Sequence, residues 1–281
     1  MGDNLFSGLE SLGLGDMQGV DIFEEEKKPE KPHEVKPPEV TEEELLYDKS
    51  YKCPLCDKTF TTKVIRSGKN KLVGTDTDLR GKYSTVDPVK YDCVVCGNCG
   101  YAALTRFFGK CTSKQLNMIK ENISSKFKGI DETAPMYSYD EAFIRYQLVL
   151  ANAIVKKAHE SEKGYICLKM AWLLRGKAEH LPDDMEDVES VRKDLKNQEL
   201  QFIEKAYQGF KIAMQKESFP ICGMDEFTFI YVTADLARQC KDFAISLKLI
   251  SDIITSKTAA PKIKERAREL KDLIKEEVKK N

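Results

Sequence analysis

Histidine is scarce in this chain, 3 residues in 281, and no apolar run approaches the roughly 18 residues of a membrane-crossing helix. The first 20 residues are broken by Gly, Asp and Glu and have no basic start, so they do not read as a secretory leader. The patterns GxxxxGK[ST], GxSxG and HExxH are missing, and no cysteine has a histidine near it in sequence to activate it. His33 lies in a stretch of charge and proline, while His159 and His180 fall in helical segments far along the chain. Phosphate-cradling, serine-hydrolase and zinc-protease chemistry are not signalled. The expectation is a cytoplasmic protein with no membrane segment that is not an enzyme.

Cysteine, by contrast, is plentiful, with 9 residues. In an oxidising compartment such a count suggests disulfides, but in a reducing one pairs at Cys-x-x-Cys spacing point to a metal. "CPLC" supplies Cys53 and Cys56. "CVVCGNC" offers two overlapping pairs, Cys93 with Cys96 or Cys96 with Cys99. Turn chemistry favours the second. Gly97 and Asn98 stand where a tight knuckle needs positive φ, and Gly100 is placed to aim its N–H at a thiolate, whereas Val94 and Val95 suit a strand. The expected ligands are Cys53, Cys56, Cys96 and Cys99, with Cys93 a bystander. Four thiolates close the coordination shell, which implies one structural Zn²⁺ per chain. The 39 residues from 57 to 95 must then hold an inserted hairpin or loop. Cys111, Cys167, Cys222 and Cys240 are single thiols, read as small buried hydrophobes.

Charge divides the chain. Residues 1–50 carry 14 acidic and 5 basic side chains, and residues 51–112 carry 5 and 11. Residues 1–45 read as a disordered acidic tail, because "EEEKKPEKPHEVKPPEV" has almost nothing to bury. Ahead of that stretch Leu5, Phe6, Leu9 and Leu12 are at roughly helical spacing, either as a docking helix or as a fraying end. Residues 46–112 read as a small β-rich, zinc-ribbon-like module. Its polar insert includes Arg66, Lys69, Asp76, Asp78, Arg80, Tyr83 and Tyr91, which suit either a ligand or polyanion face or a solvated charged hairpin. A flexible acidic tail beside a basic module is expected to compete with outside polyanions for it.

Residues 113–281 are dominated by helical periodicity. Phe143, Ile144, Leu148, Ala151, Ile154, Val155 and Ala158 form an apolar stripe that begins at a capping box, Ser138 with Glu141. Further stripes cover 162–180, about 187–217, 225–240, 242–256 and 262–279, with Pro182, Pro220 and Pro261 as breaks. "VTADLARQCKDFAISLKLISDII" resembles one tetratricopeptide unit, with Ala234 and Ser246 in the small slots and Lys241-Asp242-Phe243 at the turn. The fold class expected is α+β, mainly α: a zinc-ribbon-like module followed by a tetratricopeptide-like helical domain that should fold without it.

The order "CPLCDKTF", "VIRSGK", "DTDLRGKY", "DPVKYD", "CGNCGYAA" and "GMDEFTFIYV" resembles an uncharacterised bacterial family, a domain of unknown function, over nearly all of the chain after about residue 45. The resemblance implies a bacterial source. It also implies that Arg66, Asp76, Asp78, Tyr83, Pro88, Tyr91 and Tyr101 stand at family motif positions beside the four cysteines. It implies no activity, and Cys93 departs from the apolar or aromatic residue expected in relatives. The functional expectation is a zinc-binding adaptor that recognises a protein or peptide through its helices. The alternative is a nucleic-acid-associated regulator using the basic ribbon, and an enzyme built around Arg66, Asp76 and Asp78 is a third, lesser reading.

Overall fold

The N-terminal part of the fold is made of antiparallel hairpins too short to stand alone. In the computed structural model, which describes residues 40–130 and 134–280, strand β1 (Leu46–Lys52) pairs with β2 (Thr59–Ile65), from Leu46 opposite Ile65 to Lys52 opposite Thr59. Strand β3 (Leu72–Thr75) pairs with β4 (Gly81–Tyr83), and β5 (Cys93–Val95) pairs with β6 (Ala102–Leu104). Two-stranded sheets are marginal in water unless they pack on something else. Here every residue of β5 and β6 is buried. Asn152 donates to the Gly100 carbonyl in the turn of this hairpin at 3.0 Å and Tyr146 to the Val89 carbonyl just before it at 2.8 Å, so α2 holds this part of the chain by its backbone.

Seven α-helices follow among the described residues. They are α1 (Ser113–Ile119), α2 (Tyr139–Val155), α3 (Glu160–Glu179), α4 (Val188–Lys216), α5 (Glu226–Gln239), α6 (Phe243–Thr255) and α7 (Pro261–Lys280). From α2 onward each helix packs on the next in sequence. The capping box expected at Ser138 is present, with reciprocal bonds to Glu141. The later stripes coincide with α3 to α7. At the α3/α4 crossing a Cβ on Gly209 would lie 2.9 Å from the Glu160 carbonyl, so only glycine allows the two backbones to approach. In the α5/α6 hairpin Ala234 and Ser246 are fully buried, and the Ser246 hydroxyl donates to the Ala234 carbonyl at 2.6 Å.

Three expectations change. The stripe in α2 is only partly met: Phe143, Leu148 and Val155 are half-buried against apolar neighbours and Ala158 is buried, but Ile144 and Ile154 are exposed, and the fully buried face is Ala142, Arg145, Tyr146, Val149, Asn152 and Ala153. Three of those six carry polar atoms, which hid the face from a hydrophobicity count. The tail ends earlier than residue 45, since Leu45 is fully buried and Glu42 accepts from Lys90 at 2.6 Å and from Tyr91 at 2.5 Å. The tail readings for residues 1–39, with Leu5, Phe6, Leu9, Leu12 and His33, lie outside the described residues. Finally, the segments 46–112 and 113–281 share one apolar core, in which Val89, Cys93, Val95, Ala102 and Leu104 pack with α2 and α3.

Candidate metal centre

Each Cys-x-x-Cys pair sits in the turn of a hairpin. Cys53 to Cys56 link β1 to β2, and Cys96 to Cys99 link β5 to β6. The two turns are built alike. The Cys53 carbonyl accepts from Asp57 N–H at 3.0 Å and the Cys96 carbonyl from Gly100 N–H at 2.9 Å. Asp57 (φ 59°) and Gly100 (φ 74°), each directly after the second cysteine, are both left-handed. The positive φ expected at Gly97 and Asn98 thus occurs at Gly100 instead, and the Gly100 N–H serves a carbonyl, not a thiolate. A side chain at Gly100 would be strained twice, because its Cβ would also lie 2.7 Å from the Phe127 ring.

The two knuckles face each other. The Sγ atoms of Cys53, Cys56, Cys96 and Cys99 all lie within 4.8 Å of one another, with Cys53 to Cys99 at 3.6 Å and Cys56 to Cys96 at 3.7 Å. Lys58 Nζ bridges the turns by donating to Asn98 at 2.6 Å. Around the thiols lie Tyr101, Ile119, Phe60 and Phe108, with the Phe108 ring 5.4 Å from that of Tyr101. Cys53, Cys96 and Cys99 are buried among them, and Cys56 is partly so. The hydrogen bond from the Cys99 thiol, opposed by burial and aided by the N–H groups of Cys56 and Leu55, brings the Cys53 thiol down to about 5. The same bond drives the Cys99 thiol upward, and burial pushes Cys96 to about 11. A cation that binds thiolates must displace the protons such raised thiols hold.

Cys93 is elsewhere. It is buried in the main core on β5, and desolvation raises its thiol well above the ordinary range. Cys167 and Cys222 are buried as expected, whereas Cys111 and Cys240 are only partly so.

The polar insert does not form one surface. Asp78 is 0 % exposed, and Arg175 of α3 reaches it at 2.7 Å, Asp76 at 2.9 Å and Glu199 of α4 at 2.8 Å. Arg80 pairs with Glu179 at 2.7 Å and Asp76 at 3.3 Å. Thr77 donates to Asp235 at 3.1 Å, and Asp235 also receives Arg238 and Gln239, each at 2.8 Å. The tip of the β3/β4 hairpin is therefore plugged into the helices by ion pairs. Tyr91 is buried against Tyr137, with ring centroids 5.3 Å apart. Of the seven residues expected to form that face, Arg66, whose guanidinium lies 5.5 Å from the Tyr47 ring centre, Lys69 and, at 38 % exposure, Tyr83 stay at the surface. Opposite charges within the insert and the helices neutralise each other, which removes most of the expected polyanion face. Reading the sequence missed Glu42, Arg175, Glu199, Asp235 and Arg238; the one local signal was a charge pair three residues apart inside the apolar run "IYVTADLARQC".

Residues 46–274 match the model of a family described as uncharacterized proteins conserved in bacteria (DUF2225), and the chain belongs to that family. No curated protein and no solved structure matches it. Among the described residues no helix is long and apolar enough to cross a membrane.

Proposed function

We propose that this member of the bacterial family is a non-enzymatic adaptor of the cytoplasm, stapled by one Zn²⁺ and offering its helical array to a protein partner. The observation that carries the zinc assignment is the spacing of the four Sγ atoms. A tetrahedral zinc with Zn–S bonds of about 2.3 Å places its sulfurs about 3.8 Å apart, and the Cys53–Cys99 and Cys56–Cys96 pairs stand at 3.6 and 3.7 Å. Cys53, Cys56, Cys96 and Cys99 would hold the ion. All four positions are filled by protein, so bound zinc would supply cross-links between hairpins and leave no open position for water or substrate. Reduced thiols at this density suit a reducing compartment.

The adaptor reading is supported by the stacked helices, which leave a groove along α4. The nucleic-acid alternative loses support because Arg80, Lys82 and Lys90 are committed to Asp76, Glu179 and Glu42. The test is affinity capture from the native cell with the zinc-loaded intact chain, with and without nuclease. A protein that stays bound after nuclease is expected; recovery of nucleic acid alone, or loss of every partner on nuclease treatment, would overturn the reading.

A further inference from the structure

A cavity of about 300 Å³ opens where the β3/β4 hairpin meets α3 and α5. Its volume stands at the lower end of the range for small-molecule sites, about 300–1,000 Å³. Helix α3 lines it with Tyr165, Leu168, Lys169 and Trp172, which at this spacing share one face of the helix, and α5 adds Thr228 and Val232, one turn apart. The floor is apolar and closed, with Val89, Leu168, Trp172 and Val232 each at most 7 % exposed. The rim is more open: Tyr165, Met224 and Thr228 are half-buried, and Tyr83 of β4 is exposed.

The polar groups of the lining are accounted for, with one exception. Lys169 is its one charged residue; the ammonium lies 5.1 Å from the Trp172 ring centre and 5.4 Å from that of Tyr165, and Asp92 holds it at 3.2 Å. No carboxylate lines the cavity among the described residues. The Thr228 hydroxyl donates to Asp225 at 2.8 Å. The exception is Nε1 of Trp172, a buried donor with no acceptor among the described residues. Such a donor is costly to leave unpaired and points to a partner still to be supplied.

We infer that this cavity binds a small, neutral, planar aromatic molecule that carries a hydrogen-bond acceptor, a carbonyl oxygen or a ring nitrogen. Its ring packs among Tyr83, Tyr165 and Trp172, since aromatic groups favour offset-stacked or edge-to-face neighbours, and Met224 adds a polarisable sulfur. Its acceptor takes the Trp172 N–H. Charge excludes the other classes: an anion finds the Lys169 ammonium already matched by Asp92, and a cation meets that ammonium with no carboxylate to offset it. The site uses neither the four cysteines nor the groove along α4, so it stands apart from the adaptor reading.

Trp172 is the only tryptophan in the chain, so its emission reports from inside the cavity. The experiment adds coumarin, which is planar, neutral and bears a carbonyl, to the zinc-loaded intact chain. Saturable quenching is expected, with one equivalent bound by calorimetry. Octahydrocoumarin, which keeps the acceptor but puckers the rings, and coumarin-3-carboxylate, which adds a charge, should each bind at least about five-fold more weakly. By calorimetry, Trp172→Phe keeps a ring and removes the N–H, and should weaken coumarin at least about five-fold. Tyr83→Ala at the rim should weaken it several-fold, while Tyr47→Ala, an equally exposed ring outside the cavity, should change it less than about two-fold. Circular dichroism establishes that each variant folds; should Trp172→Phe not fold, Tyr83→Ala and the ligand series on the native chain decide. No saturable binding of coumarin, equal binding of either analogue, affinity left unchanged by Tyr83→Ala or by folded Trp172→Phe, or an equal loss in Tyr47→Ala would overturn the proposal.

Discussion

The cysteine hairpins and the β3/β4 hairpin between them belong to one stretch of chain but are secured by opposite chemistry. The knuckles meet through four soft thiols, 40 and 46 residues apart across the two close contacts, and their neighbours are aromatic and aliphatic. The β3/β4 tip meets helices 97 to 161 residues away through carboxylates and guanidinium groups. One attachment is made by a single type of side chain at a repeated local spacing. The other is made by unlike charges scattered over α3, α4 and α5. The thiol cluster is one set of like groups that act together, whereas an ion network can be rebuilt piecemeal; the two should therefore fail differently when perturbed.

The largest effect is expected from cutting the chain between them. Residues 113–281 alone lose the β5/β6 face of the shared core and leave Arg175 without Asp76 and Asp78. Circular dichroism of this fragment should show a broad melt without cooperativity. A sharp transition would show that the helices need neither attachment and would restore the separable domain suggested by their sequence periodicity.

Next in size is the ion network. Removing one member of a buried, hydrogen-bonded ion pair costs about 3–5 kcal/mol, because the partner is left charged and desolvated. Asp78→Ala in the zinc-loaded chain should lose about that much in urea unfolding. Arg175→Met added to Asp78→Leu should recover part of it, since no charge is then stranded. If Asp78→Ala costs under about 1 kcal/mol, the value of an exposed pair, the tip is not anchored as described.

Cys93→Ser should be milder, costing about 1–3 kcal/mol through a hydroxyl placed in an apolar core, with the metal retained. The network also has a pH signature. Burial raises the Asp76 carboxyl, but hydrogen bonds from Arg175 and Lys82 outweigh it and hold the group below its ordinary range; Glu179 behaves alike beside Arg80 and Lys82. A depressed carboxyl contributes stability above its unfolded pKa of about 4 and loses it as pH falls through the folded value. Asp235 has the opposite sign, since burial outweighs Arg238 and raises it, so its charge costs stability that acid relieves. Asp76→Asn should therefore be less stable than the native chain near pH 6, and the gap should close below about pH 4. A gap that widens in acid would contradict the assignment. The smallest effect belongs to the exposed pair: Arg66→Ala with Lys69→Ala should move the urea midpoint by less than the equivalent of about 0.5 kcal/mol.

How much could be read from the residues follows from the same contrast. The knuckles were legible because Cys53, Cys56, Cys96 and Cys99 declare themselves by spacing, although the turn geometry that favoured the second pair is met at Gly100 and not at Gly97 and Asn98; Ser138 with Glu141 marked the start of α2 by a local rule. The buried face of α2 was not, because Arg145, Tyr146 and Asn152 look solvated until their distant partners are known: Tyr146 donates to the Val89 carbonyl, Asn152 to the Gly100 carbonyl, and Arg145 lies over the Tyr137 ring. Asp76, Asp78 and Arg80 looked like a surface for the same reason. Nothing within their own stretch reveals Arg175 or Glu179, about a hundred residues on, and only tertiary structure turns a charged hairpin into a plug.

Metal content tests the central claim most directly. Elemental analysis of the purified intact chain should give one equivalent of zinc for the native protein and for Cys93→Ser, and a strong loss for Cys99→Ser. Four thiolates closing a tetrahedron cannot spare one, and a core thiol on β5 has no part in the site. Zinc retained by Cys99→Ser and lost by Cys93→Ser would contradict the account.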